Sequence, residues 1–288
     1  MLRGLPGSRH ISAPDWRRLL NAIRLGLSTH SAAADAHEQH ALASALRCRQ
    51  IRPRRIAVIG CNGGVGTTTT AVLLASVLSA SREDQTLLFT MHSDASDVAA
   101  RLSIPQAPSV TEVLAGLRRH GRIPPTPLTR TGLRVLSAPP PGSPSVDAGL
   151  GALLDVAASG HASVVVDAGV ASRIGSFATL AELVDTVVLV CRTTTDAVAA
   201  TNAALARWRA HLPPQTASRL ILVPIRSRIQ ASGWRGDPVE RLAADRVTTH
   251  AMPHDPELGR GRPIDLSLVS GPCMTAALTL AAEIMGHR

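Results

Sequence analysis

One turn constrains this chain more than any other feature. Ile56-Ala57-Val58-Ile59 reads as a short buried strand, and Gly60-Cys61-Asn62-Gly63-Gly64-Val65-Gly66 reads as a glycine-rich turn. Thr67-Thr68-Thr69-Thr70 then leads into the helical run Ala71-Val72-Leu73-Leu74-Ala75-Ser76-Val77-Leu78. Strand, glycine turn and helix in that order make a phosphate-binding loop. Glycines at 63, 64 and 66 let backbone N–H groups curl around phosphate oxygens, and the helix N-terminus behind them favours negative charge. The position that carries the phosphate-neutralising lysine of such a loop is Thr67. The loop is present without its cation.

Beyond the loop, strands and helices alternate. Strands are expected at Ile56–Ile59, Thr86–Thr90, Leu133–Leu136, Ser163–Val166, Thr186–Cys191, Leu220–Val223 and Val247–Ala251. Several are continuous apolar runs, as a parallel sheet covered by helices on both faces requires. Helices are expected at Thr68–Ser79, Val110–Arg119, Val146–Ala158, Phe177–Leu183, Asp196–His211, Pro238–Ala244 and Cys273–Met285, the second opening on the capping box Ser109-x-x-Glu112. The expected fold class is α/β: a doubly wound, mostly parallel sheet with helices on both faces and its ligand at the carboxyl ends of the strands.

The N-terminal segment differs from this body. Residues 1–55 hold ten arginines against Asp15, Asp35 and Glu38, which accounts for most of the net charge of +9. Trp16, Leu19, Leu20, Ile23 and Leu27 recur at helical spacing behind Ser12 and Pro14, and a second helical pattern spans Ala32 to Leu46. The expected division is therefore a basic helical arm and linker, 1–53, followed by one α/β domain, 54–288. All 30 basic residues are arginine, a compositional bias that by itself would not remove a lysine needed for turnover. Four widely spaced cysteines suggest neither a zinc site nor a disulfide framework. With no signal-peptide core and no apolar run of membrane-spanning length, the expected location is the cytoplasm.

The loop Cys61-Asn62-Gly63-Gly64-Val65-Gly66-Thr67-Thr68-Thr69-Thr70 resembles the deviant Walker A loop of the MinD/ParA family. That family's two loop lysines fall at Asn62 and Thr67 here. The resemblance implies that Asn62, Gly63, Gly64, Val65, Gly66, Thr67, Thr68 and Thr69 bind ATP or ADP. Thr68 falls at the hydroxyl ligand to Mg²⁺, and Val164-Val165-Val166-Asp167 is similar to the Walker B strand, which makes Asp167 the second metal-site residue. A carboxylate ending a buried strand also has the simpler use of bonding the next turn. The family's D-x-D pair after the second strand falls at Met91 and Ser93. Asp94, one residue on, is the one catalytic candidate, set against a reading of Asp94 and Asp97 as loop or helix-capping acids. Where the family reads adenine with an asparagine, Pro224 and Ile225 stand.

Phosphoryl transfer depends on positioned cations and an oriented water, and losing one such stabiliser costs ~10²–10³ in rate. The resemblance thus implies a degenerate P-loop protein with impaired or absent ATP hydrolysis and weak binding of Mg-nucleotide. The arm is similar to that of an actinobacterial branch associated with type VII secretion, which implies a regulatory or scaffolding subunit with protein partners and a homodimer surface. Two alternatives stand beside it. One is an active ATPase switch for positioning or partition. The other is a partition-type protein whose Arg47–Arg55 run contacts DNA phosphates without sequence preference. The amphipathic arm also admits a membrane surface, but packing on its own domain or a partner groove accounts for the same stripe. The histidines show no ligand constellation: His37 and His40 could share a helix face, which a solvated face explains better than a metal site, and no G-x-S-x-G elbow supports a hydrolase.

Overall fold

The computed structural model describes Leu46 and residues 52–82, 84–92, 97–104, 106–121, 123–129, 131–171, 177–211, 219–226, 247–266 and 268–286. The arm, except Leu46, Arg52 and Pro53, lies outside these residues, as do Asp94 and the helix expected at Pro238–Ala244.

Seven strands form one parallel sheet: β1 (Arg54–Gly60), β2 (Thr86–Thr90), β3 (Arg134–Leu136), β4 (Ser163–Val170), β5 (Thr186–Arg192), β6 (Leu220–Ile225) and β7 (Thr248–Thr249). Their order is β3-β2-β4-β1-β5-β6-β7. Eight helices accompany them among the described residues: α1 (Thr67–Ser81), α2 (Val98–Arg101), α3 (Val110–His120), α4 (Asp147–Gly160), α5 (Phe177–Leu183), α6 (Thr195–His211), α7 (Pro256–Gly259) and α8 (Gly271–Gly286). The expected doubly wound α/β class is the observed one.

The period of two along each strand sorts side chains between two cores. Ile56 and Val58 of β1 point into a core shared with α1, α2 and α8, while Ala57 and Ile59 point into one shared with α3 to α6. Helix α1 runs between the sheet and α8, which is why Thr70 through Ser81 are all buried and the helix has no polar face. Helix α3 is the opposite case. It is amphipathic, opens on the expected Ser109–Glu112 capping box with both reciprocal hydrogen bonds formed, and ends at Gly121 in the left-handed region with φ 67°. Among the described residues no helix is long and apolar enough to cross a membrane.

Topology places the site. From β1 the chain passes beyond β4 to reach β2, by way of α1 on one face. From β4 it passes back beyond β1 to reach β5, by way of α5 on the other face. Right-handed crossovers in opposite directions put these helices on opposite faces, and a crevice opens at the carboxyl ends of the strands where the direction changes.

Candidate functional site

A cavity of about 570 Å³ sits at that crevice, over the ends of β1, β5 and β6. Residues 62 to 69, the whole set expected to bind nucleotide, line it. Gly64 and Gly66 take φ of 69° and 102°, a region that side chains with a Cβ avoid, so the loop conformation requires glycine at both positions. Helix α1 starts on Gly66 with no side-chain cap, leaving the N–H groups of its first turn without that partner. Val65 is 3% exposed and roots the loop in the α1 core. The loop backbone has the conformation that a phosphate cradle requires.

The cradle's side chains are less familiar. A Cβ added at Gly60 would lie 2.3 Å from Thr67 Oγ1 and 2.9 Å from Val65 Cγ2, so the Thr67 hydroxyl packs back over the strand end. No cation comes from within the loop.

Three arginines from outside it line the cavity instead: Arg101, Arg192 and Arg226. Arg54 and Arg55 stand at the opposite end of β1, where Arg55 pairs with Asp155 at 2.7 Å. The Arg101 guanidinium is buried and spans two segments. Its Nη2 donates to Thr69 Oγ1 and to the Leu258 carbonyl, both at 3.1 Å, and its Nη1 donates to the Arg262 carbonyl. Burial lowers the Arg101 pKa from its ordinary value, and the Glu257 carboxylate opposes that shift. Arg192, the last residue of β5, is exposed, and its Nη2 donates to the Gly64 carbonyl. Arg226 follows β6 and reaches the cavity from the other side of β5.

The two residues expected at a metal site, Thr68 and Asp167, are placed differently from each other. Thr68 lines the cavity. Asp167 is 1% exposed at the end of β4, accepts hydrogen bonds from Thr90 Oγ1 at 3.4 Å and from the Gly169 N–H at 3.2 Å, and does not line the cavity. Met91, at the first D-x-D position, is 3% exposed in the core under α3 and α4. Asp97 caps α2, accepting from the Ala99 and Ala138 N–H groups at 3.1 and 3.0 Å. At the adenine position, Ile225 forms part of an apolar wall with Met252 and Pro253.

The segment after β7 closes the cavity through Asp255. Its carboxylate caps α7, accepting from Glu257 N–H at 2.9 Å and Leu258 N–H at 3.1 Å, and takes a third bond from Ser270 N–H at 2.8 Å. Burial pushes the Asp255 pKa up, but the bonds from Ser270, Leu258 and Glu257 outweigh it and hold the carboxyl below its ordinary value. Beneath the loop, Cys61 and Cys191 follow the paired residues Gly60 and Val190 of β1 and β5. Burial pushes both thiols up, Cys191 to about 12 with Cys61 adding to the shift, while a hydrogen bond with Thr201 opposes it. Both stay protonated at neutral pH.

No protein-family model and no curated protein matches this sequence. Solved structures do match. A ParA family ATPase from Chlorobium tepidum aligns with a TM-score of 0.60 and 16% identity, covering 82% of this chain and 99% of that one. The MinC:MinD cell division complex of Aquifex aeolicus gives 0.62 and 17%, covering 82% and 97%. The septum site-determining protein MinD with Mg-ADP from Pyrococcus horikoshii gives 0.60 and 16%, covering 81% and 96%. Likeness at this identity is likeness of fold: the chain has the fold of the MinD/ParA P-loop ATPases.

Proposed function

We propose that this chain is a degenerate MinD/ParA-like protein that holds the phosphate chain of an adenine nucleotide with little or no hydrolysis and acts as a regulatory or scaffolding subunit. One observation carries the reading. The loop keeps the backbone geometry that binds phosphate, while the residue at its lysine position, Thr67, is folded over Gly60 and supplies no charge. Met91 adds to it, as a buried apolar side chain where the family orients water with a carboxylate. Binding needs the backbone cradle; turnover needs the cations and the carboxylates. The two requirements separate here.

The cavity and the uncapped start of α1 fit a phosphate chain, and one of the matching structures holds Mg-ADP. Thr68 lines the cavity and would hold magnesium there, which when bound would neutralise phosphate charge; Asp167, the second residue expected at the metal, is buried at the end of β4 and outside the cavity lining. Another matching structure is a complex of MinD with MinC, and the corresponding proposal here is protein partners engaged through the basic arm, with a homodimer as the assembled form. The arm, 1–53, and the domain, 54–288, are proposed as separate functional units, and a type VII secretion or related envelope machine is the proposed setting.

Calorimetric titration with Mg-ATP and Mg-ADP, run on the full chain and on Thr67→Lys, tests this reading. Weak binding by the wild type and tighter binding by the variant are expected. A wild type that takes up neither nucleotide would remove the retained cradle.

A second reading, a working ATPase switch, draws on the three arginines around the cavity. It differs in one outcome: the wild-type chain would dimerise on adding Mg-ATP and dissociate as the nucleotide is consumed.

A further inference from the structure

Resting on that nucleotide-binding reading, we propose that the phosphate-binding cation of this loop is Arg192, supplied from the neighbouring strand rather than from the loop.

Three observations converge on it. First, Arg192 is the last residue of β5, and β5 lies directly beside β1 with Gly60 paired to Val190. The ladder continues one step further, from Cys61 N–H to the Val190 carbonyl at 2.9 Å, so the end of β5 is fastened to the first residue of the turn. Second, the guanidinium reaches across to the loop itself and donates to the Gly64 carbonyl. A carbonyl held in this way fixes the orientation of the Gly64–Val65 peptide, since the unit is planar and its N–H points opposite to the C=O. Third, Arg192 is exposed and lines the cavity.

Charge and geometry then select it from the three candidates. Arg101 is buried, with three of its five N–H donors given to Thr69, Leu258 and Arg262, so it ties the α7 segment to the start of α1. Arg226 lies one strand further from the loop than Arg192. Arg192 both donates to a phosphate-loop carbonyl and lines the cavity. A guanidinium carries five N–H donors and Gly64 is the hydrogen-bond partner of one, which leaves donors for phosphate oxygens in the planar fork that suits them. Position 67 therefore has no need of a lysine for binding. An arginine anchored on a sheet strand reaches the phosphates from outside the loop, where it neutralises bound charge without sitting at the transferring group.

The test is calorimetric titration of the full chain with two probes, Mg-ADP and inorganic pyrophosphate with magnesium, for wild type, R192A, R192Q and R192K. Glutamine keeps a donor for the Gly64 carbonyl but no charge. A charge-assisted phosphate contact predicts that R192A and R192Q each weaken both probes by about 10–100-fold and that R192K recovers part of the loss. Raising the salt concentration should weaken wild-type binding more steeply than R192Q binding. Thermal unfolding midpoints identify any variant that fails to fold, and R192K and R192Q then decide.

Wild-type affinity in R192Q would overturn the proposal and leave Arg192 as a loop support only. A loss seen with ADP but not with pyrophosphate would also overturn it, since the contact would then be to the nucleoside. A wild type silent toward both probes would instead remove the cradle reading on which the proposal rests.

Discussion

Residues 60 and 67 are packed as a pair, with the Thr67 hydroxyl 2.3 Å from the site of a Cβ on Gly60 and Val65 Cγ2 at 2.9 Å. Gly60→Ala must therefore displace the first residue of α1 or the root of the loop. A destabilisation of about 1–3 kcal/mol is expected from such overpacking, read as a lower midpoint in chemical denaturation. An unchanged midpoint would show that Thr67 is free to turn away. Asp255 makes a second prediction at this scale. Its carboxyl is held below the ordinary 3.8, so its contribution to stability is complete above about pH 4 and is lost as pH falls through the lower folded value. Asp255→Asn should cost about 0.5–2 kcal/mol at pH 7, the range for a helix cap, with the gap to wild type closing as pH drops below 3.8. Denaturation curves at pH 7 and through a falling acid series measure both quantities. A gap that does not narrow anywhere in the acid series would assign the effect to shape rather than charge.

Among elements, α3 states most plainly what local sequence can do. The Ser109–Glu112 box satisfies N–H groups at the helix start in both directions, at 3.2 and 2.7 Å. Ser109→Ala should lower stability by about 1 kcal/mol, and a fall of several degrees in the unfolding midpoint would report it. The strand at Thr86–Thr90 and the helix at Phe177–Leu183 were legible to the residue, because each is an apolar run or periodic stretch bounded by breakers. The four-residue helices α2 and α7 were not legible as elements, since four residues are too few to show a period. Their caps, Asp97 and Asp255, were the signal available. Strand β7 is shorter than expected, Thr248–Thr249 against Val247–Ala251, and pairs with Ile221 and Leu222 of β6. Arg192 was hidden for a different reason. It stands 128 positions from Gly64, and only the order that sets β5 beside β1 brings them together. The rule that ligands sit at strand carboxyl ends, applied to the residue just after the run Thr186–Cys191, would have found it.

At the scale of the whole molecule, the chain's core begins before the body does. Leu46 is 1% exposed in the core under α1 and α8, and its carbonyl accepts from Arg82 Nη1 at 2.6 Å. Leu46→Ala should destabilise the α/β domain by about 2–5 kcal/mol in denaturant titration, as a buried leucine deletion does. A change under 1 kcal/mol would mean that the end of the arm is dispensable to the fold. The proposed use of that fold is a phosphate cradle kept on an intact sheet, with no hydrolytic charge at Thr67 or Met91. Its most direct test is single-turnover hydrolysis of Mg-ATP by the full chain at saturating protein, compared with Asp167→Ala. Bound nucleotide should remain ATP over hours, with no difference between the two proteins in rate. Turnover at rates typical of MinD/ParA ATPases, abolished by Asp167→Ala, would contradict it.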